Sequence, residues 1–345
     1  MKAATISSFL FAGALLLAAP TTQAYVWNAT GCALLPGTVC RWISGAKMYR
    51  DRCSMPDGWD SDWSYWNAGD QWDNVAAVMD WNWWYNDGCV ITAQNGRSET
   101  ATVNPAQIGG LNGLATCWKS WFGWSECDIK LSNQLNYWNE DESFWNWSNT
   151  NQGRIVTMHE FGHAMGLGHD NNQFAVMRSN TPYPLNGGPG FHGEPFPDDA
   201  TGVRALYGTY QSPTTNLFAT AQKYVNGAVQ ATESGSCVTI NRCRGQTLSV
   251  TVSIGSNGWT SPLSHGVRIF LNNSPSGYTG GWDMFVGTAN NPPGTYSTQT
   301  LNLTVPNVPN GIYWILWQVD TQNGTAESNE QDNAVHACKT VNVTC

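Results

Sequence analysis

Hydrophobic and polar positions along the 345-residue chain form two textures that change near residue 210. Beyond that point apolar and polar residues alternate. Leu248-Ser-Val-Thr-Val-Ser-Ile254 and Leu301-Asn-Leu-Thr-Val305 keep a strict period of two, the repeat of a strand with one buried face. Val267–Leu271, Tyr313–Val319 and Val335–Val343 predict further strands, set between Gly, Pro and Asn clusters. Short strands so separated imply an all-β sandwich. The earlier half is mixed. Arg41–Arg50 predicts an opening strand, and Leu114–Trp118 with Cys127–Leu131 predicts a hairpin that a Cys117–Cys127 bridge could close. Asp70–Tyr85 spaces Trp72, Val75, Met79, Asn82 and Trp83 by threes and fours, predicting a helix with one apolar face. Arg154–Met165 predicts another, with Ile155, Val156, Met158 and Phe161 as its apolar contacts. Polar Thr209–Asn216, which contains Pro213, is the expected linker.

The first residues change the picture. Lys2 precedes an apolar run from Phe9 to Ala19, and Thr22-Gln23-Ala24 ends in a small residue. That is the pattern of a secretory leader cleaved after Ala24. The run is too short for a bilayer, which takes about 20 apolar residues, and no other candidate span follows. The expected organisation is therefore residues 1–24 as leader, 25–208 as a first domain, 209–216 as linker and 217–345 as a second domain, secreted and extracellular.

Charged residues make up 12% of the chain, about half the usual share; Asn, Ser, Thr and Gly supply the polarity instead. Of 16 basic residues only Lys2 lies in the leader, leaving 25 acidic against 15 basic, a net charge near −10. This argues against nucleic acid or an anionic membrane as partner and suits a soluble secreted monomer. Ten cysteines follow Ala24. Six (Cys32, Cys40, Cys53, Cys89, Cys117, Cys127) and four (Cys237, Cys243, Cys338, Cys345) fall on either side of the linker, even sets that fit disulfides closed within each domain. None has the CxxC spacing of a structural zinc site.

Thr157-Met-His159-Glu160-Phe-Gly-His163-Ala-Met-Gly166-Leu-Gly-His169-Asp170 carries the chemistry. On a helix His159 and His163 project from one face, where two imidazoles can meet one Zn²⁺. Gly166 can take a positive φ, letting the helix stop and the chain turn so that His169 returns as third ligand. The fourth position is left to water, as in catalytic zinc sites. Glu160, beside the first ligand, can reach that water as general base.

This eleven-residue HExxHxxGxxH pattern resembles that of the metzincin zinc peptidases, and within them the chain looks most like a matrixin. Met177 in Ala175-Val-Met177 is similar to the Met-turn residue, and Asp198-Asp-Ala-Thr-Gly-Val-Arg-Ala-Leu-Tyr-Gly208 to the matrixin C-terminal helix. Arg41-Trp42 and Lys47-Met-Tyr-Arg50 resemble the first strand. The resemblance implies an α+β domain, a twisted mixed sheet with an active-site helix. Its site would comprise Glu160 as base, His159, His163 and His169 on zinc, Met177 at the turn, and Gly166 and Asp170 as structural support. It also implies protein or peptide substrates, bound antiparallel to an exposed strand edge by β-augmentation, with Leu114–Trp118 the expected edge. Asn310-Gly-Ile-Tyr to Asp320 and Ala326-Glu-Ser-Asn-Glu-Gln-Asp-Asn333 look like the cell-adhesion-related (CARDB-like) β-sandwich. This implies an immunoglobulin-like fold, with either surface attachment or a spacer as its role.

Some residues depart from the family pattern. Asp170 stands where matrixins usually carry Ser, as in the adamalysin branch. Ser179 stands where astacin-like branches place a zinc-binding Tyr, so a fifth ligand is not expected. With no histidine between Tyr25 and Met158, the histidine-rich second zinc site of vertebrate matrixins is excluded. Calcium in acidic loops such as Asn139–Glu142 is a possible cofactor, against a plain solvated loop. Cys53, in Arg52-Cys53-Ser-Met-Pro56-Asp57, matches part of the latency motif that blocks the zinc. It follows the first strand instead of preceding it, and a disulfide is the favoured reading. His192 could line the substrate pocket, though a plain loop histidine is favoured, and the abundant Trp is read as core. The expected function is a secreted zinc-dependent endopeptidase. Its competitors are a surface-binding adhesion protein with a silent metzincin scaffold and a zinc hydrolase of other substrates.

Overall fold

The computed structural model describes residues 41–345 except 43–45, 59, 74, 76–78, 87–90, 120–122, 136–152, 172–174, 180–194, 209–215, 226–227, 233–237, 257–263, 293–294 and 328–331. The leader, the acidic loop Asn139–Glu142, His192 and most of the expected linker therefore lie outside the described residues. No described helix is long and apolar enough to cross a membrane.

The first half is built on a five-stranded mixed sheet. Its strands are β1 (Ala46–Asp51), β2 (Met79–Asn86), β3 (Ser98–Val103), β4 (Gly113–Lys119) and β5 (Trp124–Ser132), in the order β2-β1-β3-β5-β4. β1, β2, β3 and β5 are parallel; β4 alone runs antiparallel, paired with β5. The expected hairpin forms, with Cys117 opposite Cys127 and bridged to it. Helices α1 (Asp60–Asp73), α2 (Gly153–Ala164) and α3 (Pro197–Tyr207) accompany the sheet. Met48, Tyr65, Trp72, Ile129, Met158, Phe161 and Val203 form the shared core.

One expected element is wrong. Asp70–Tyr85 is not a helix: α1 ends at Asp73, and Met79–Asn86 is strand β2, parallel to β1 with Ala46 opposite Met79. Met79-Asp-Trp-Asn-Trp-Trp-Tyr is rich in aromatics, which favour strands. It fits a period of two as well as threes and fours, and sheet pairing decided between them.

Cys53 is disulfide-bonded, and none of the described cysteines is free, in keeping with the disulfide reading over the latency switch. Its loop is pinned by Arg50, which is 1% exposed, forms ion pairs with Asp57 and Asp62, and donates to the Met55 carbonyl at 2.8 Å.

The second half comprises β6 (Leu217–Thr220), a β7–β8 ribbon (Gln222–Val225, Ala228–Ala231), β9 (Val238–Arg242), β10 (Thr247–Ser256), β11 (His265–Asn272), β12 (Trp282–Ala289), β13 (Thr295–Thr304), β14 (Gly311–Val319) and β15 (Ala334–Val343). Two sheets, β13-β10-β6 and β12-β11-β14-β15-β9, meet over one core. The period-two pattern explains it: Leu248, Val250, Val252 and Ile254 from one sheet share that core with Val267, Ile269, Leu271, Ile315 and Trp317 from the other. Trp317 is fully buried and donates its indole N–H to Ser253 O at 3.2 Å, across the two sheets. Trp317→Ala is expected to lower unfolding free energy by about 3–5 kcal/mol. Trp317→Phe, which keeps most of the ring and loses the hydrogen bond, should cost less. Urea midpoints at unchanged slope give both values.

Candidate metal centre

Helix α2 carries His159, Glu160 and His163, and side chains from elsewhere hold the carbonyls of its middle and its C-terminal end. Trp72 Nε1 donates to Met158 O at 3.0 Å, Trp42 Nε1 to Ala164 O at 2.8 Å and Tyr207 Oη to Met165 O at 2.7 Å. The last two satisfy carbonyls that a helix end leaves without partners. Gly166 has φ +97°, a conformation costly for any residue with a Cβ, and the chain reverses there to bring His169 back.

The imidazoles converge. His159 Nδ1 lies 2.8 Å from Val176 O and His163 Nδ1 2.8 Å from Leu167 O. A carbonyl can only accept, so each Nδ1 carries the proton and each Nε2 a lone pair. Those Nε2 atoms lie 3.1 Å and 3.0 Å from His169 Nε2. Burial lowers all three pKa values. It carries His159 well below the usual imidazole range, helped by the neighbouring His163, and takes His163 to about 4. Three neutral nitrogens facing one another repel unless a cation sits among them. Their separations are close to the roughly 3.3 Å edge of a tetrahedron with 2.0–2.1 Å bonds, so the donor set fits zinc. Among the described residues these three alone bring metal-ligating atoms within 4.8 Å of one another.

Glu160 is 6% exposed and packs against β4. A Cβ at Gly113 would stand 2.6 Å from Glu160 Oε1, so glycine there leaves room for the carboxylate. Burial pushes the Glu160 acid up to about 8, opposed by the Ala115 backbone N–H that it accepts. A cation at the histidines would draw it down again. β4 is the outer strand of its sheet, as expected of Leu114–Trp118, with Leu111 52% and Leu114 37% exposed nearby.

Comparison with known proteins matches the centre. The matrixin family model, peptidase family M10, covers residues 99–208. Residues 99–208 are matrixin-like. Human matrix metalloproteinase-19 is 41% identical over 75 residues, and matrix metalloproteinase-27 of Tupaia belangeri 36% over 81. Each alignment takes in 21% of this chain, which spans 13% of the length of either relative. Among solved structures, the CARDB domain of the PF1109 protein from Pyrococcus furiosus, in complex with di-metal ions, is 20% identical. That alignment covers 39% of this chain and 96% of the domain, at a TM-score of 0.27.

In the matrixin-like region Met177 is buried against α2. A Cβ on Gly162 would run into its Sδ, with Trp72 Cζ2 3.1 Å away on another side. Asp170 is buried, and its backbone N–H donates to Met177 O at 2.8 Å, closing the turn. The decisive support was not among the expected residues. Asp199, at the third position of α3 and 1% exposed, accepts from Val176 N–H (2.7 Å), Met177 N–H (3.1 Å) and Phe196 N–H (2.9 Å). Burial raises its acid to about 7 against the pull of those donors. The only sequence sign was two acids in the first turn of a helix, which also fits a solvated N-terminus.

A second group of acids gathers at the start of β3 and β5. Glu99, Glu126 and Asp128 are 1–2% exposed. Thr92 N–H donates to Glu99, Gly96 N–H to Glu126 at 2.6 Å and Glu99 N–H to Asp128 at 3.1 Å. Glu126 Oε1 and Asp128 Oδ2 are buried with no hydrogen-bond partner. Burial chiefly, with repulsion from Glu126 and Glu99, raises Asp128 to about 7.

Gly162→Ala tests the packing at Met177. Overfilling that contact is expected to cost about 1–3 kcal/mol, and Gly162→Ala combined with Met177→Ala should recover part of it in a double-mutant cycle.

Proposed function

We propose that this protein is a secreted zinc-dependent endopeptidase, in which residues 25–208 form the peptidase domain and 217–345 an immunoglobulin-like accessory domain after a short linker. The observation that carries the reading is the convergence of three Nε2 lone pairs, two of them fixed by carbonyls, beside a buried carboxylate. The matrixin-like match supports zinc and peptide hydrolysis; the leader pattern of residues 1–24 and the disulfides support export.

Zinc held by His159, His163 and His169 would supply a Lewis acid and bring a water's pKa towards 7. Glu160 is the base that takes a proton from the water attacking the scissile carbonyl and delivers it to the departing amine, so the peptide C–N bond breaks without a covalent enzyme intermediate. Gly113 leaves the Glu160 carboxylate space beside β4. The outer edge of β4 aligns the peptide antiparallel, which makes the cleavage internal and sets alternate side chains against the protein. Met177, Gly166 and Asp170 hold the ligand-bearing turn. Substrates are extracellular proteins, and the accessory domain serves either as a surface attachment or as a spacer.

Casein or gelatin hydrolysis by the purified chain and by Glu160→Ala, each with its zinc measured, is the direct test. Wild type should cleave, and Glu160→Ala should lose at least about 10³-fold in kcat/KM while keeping about one zinc per chain. Zinc binding without cleavage by either protein would move the adhesion reading, with its silent scaffold, to first place.

Asp128 fixes a pH dependence. Its folded pKa stands above the unfolded value of 3.8, so its contribution to stability falls as pH rises from about 4 to about 7 and is constant outside that window. The melting temperature of Asp128→Asn should therefore gain on wild type across that window.

A further inference from the structure

Strand β6 faces two cores. Leu217 and Ala219 lie in the core between the two C-terminal sheets, whereas Phe218 between them is fully buried in the core of the peptidase half. This is the alternation of a strand applied to two different interiors. Across the boundary the Phe218 ring meets Phe196 edge-on, with centroids 5.4 Å apart at 87°. The contact is two-sided: Ile155, one turn before His159 on α2, is buried among the residues of the C-terminal core, and Tyr296 packs on the peptidase core.

The acidic motif near residue 330 fixes that strand. Glu327 Oε2 accepts Leu217 N–H at 2.6 Å, Asp332 O accepts Ala219 N–H at 2.8 Å, and Asp332 Oδ2 accepts Asn216 Nδ2–H at 3.0 Å. Phe218 is thus clamped on both flanks. Opposite it on β10 is Gly255, where a Cβ would stand 2.5 Å from Phe218 Cζ. Only glycine leaves the ring its place.

We infer that the C-terminal half is a working part of the metal centre, with Phe218 as a positioning residue for His159. The connection is continuous. Phe218 packs on Phe196; Phe196 N–H is bound by Asp199; Asp199 holds the N–H of Val176; and Val176 O receives the Nδ1 proton of His159. Phe196 precedes Pro197, which opens α3, so displacing its ring shifts the first turn that carries Asp199. Edge-on aromatic pairs add to burial and fix orientation, and a ligand's second nitrogen partner sets its tautomer and aim. The inference rests on the zinc-peptidase reading for its consequence but not for its geometry.

Hydrogen exchange of the full-length chain reads that geometry without metal or substrate. Phe218→Ala should speed exchange of the Val176 and Met177 amides by about tenfold or more relative to wild type. Val250→Ala, which opens a smaller cavity in the C-terminal core away from Phe196, should leave those two amides unchanged. Zinc loss to a chelator should accelerate by a similar factor in Phe218→Ala, the d–d spectrum of the cobalt-loaded protein should change, and kcat should fall more than KM rises. If Phe218→Ala does not fold, Phe218→Leu carries the same comparison, since it loses the ring contact at a cost in volume close to that of Val250→Ala. Equal exchange at Val176 and Met177 in the Phe218 variant and Val250→Ala overturns the inference. Absence of zinc binding and cleavage in wild type would instead sink the peptidase reading and leave the exchange result standing.

Discussion

Asp199 gathers three backbone N–H groups from two separate segments around one buried carboxylate, and the ligand geometry depends on it. A buried acid without donors would be strongly disfavoured as an anion. Here the donors are the very amides whose carbonyl neighbours aim a histidine and close the Met177 turn. The turn cannot shift without stranding either the carboxylate or the amides. Removing one partner from such a set costs more than the set contributes net, so the arrangement is rigid in both directions.

That rigidity suits the neighbouring chemistry. Three neutral imidazoles held with their lone pairs about 3 Å apart form an electrostatically unfavourable cluster in the absence of a cation. The fold sustains it because Trp42, Trp72 and Tyr207 tie down the carbonyls of α2 and its end, while Val176 and Leu167 fix the imidazole protons. The site is organised before metal arrives, so little reorganisation opposes binding. Glu160 is buried on the same helix with β4 as its wall, and its acidity is coupled to whatever charge occupies the centre.

The two halves are less separate than a linker implies. Phe218 and Ile155 each cross into the other half's interior, which joins two hydrophobic cores through one strand and one helix. The acidic motif that first suggests a surface-binding or spacer domain is used, in the described residues, to clamp β6 where it crosses.

The sequence by itself determined what depends on local geometry. A four-residue helical spacing aligns His159 with His163, a positive-φ glycine returns His169, and period-two alternation marks the C-terminal strands; these follow from the chain's own periodicities and need no distant partner. It could not determine β2, whose aromatic pattern satisfies two periods until β1 offers a partner strand. Nor could it single out Asp199, Gly113, Gly162 or Phe218. An acid in a first turn, a glycine or a phenylalanine means something different according to what packs on it, and only the tertiary structure brings Met177, the Glu160 carboxylate and Phe196 against them.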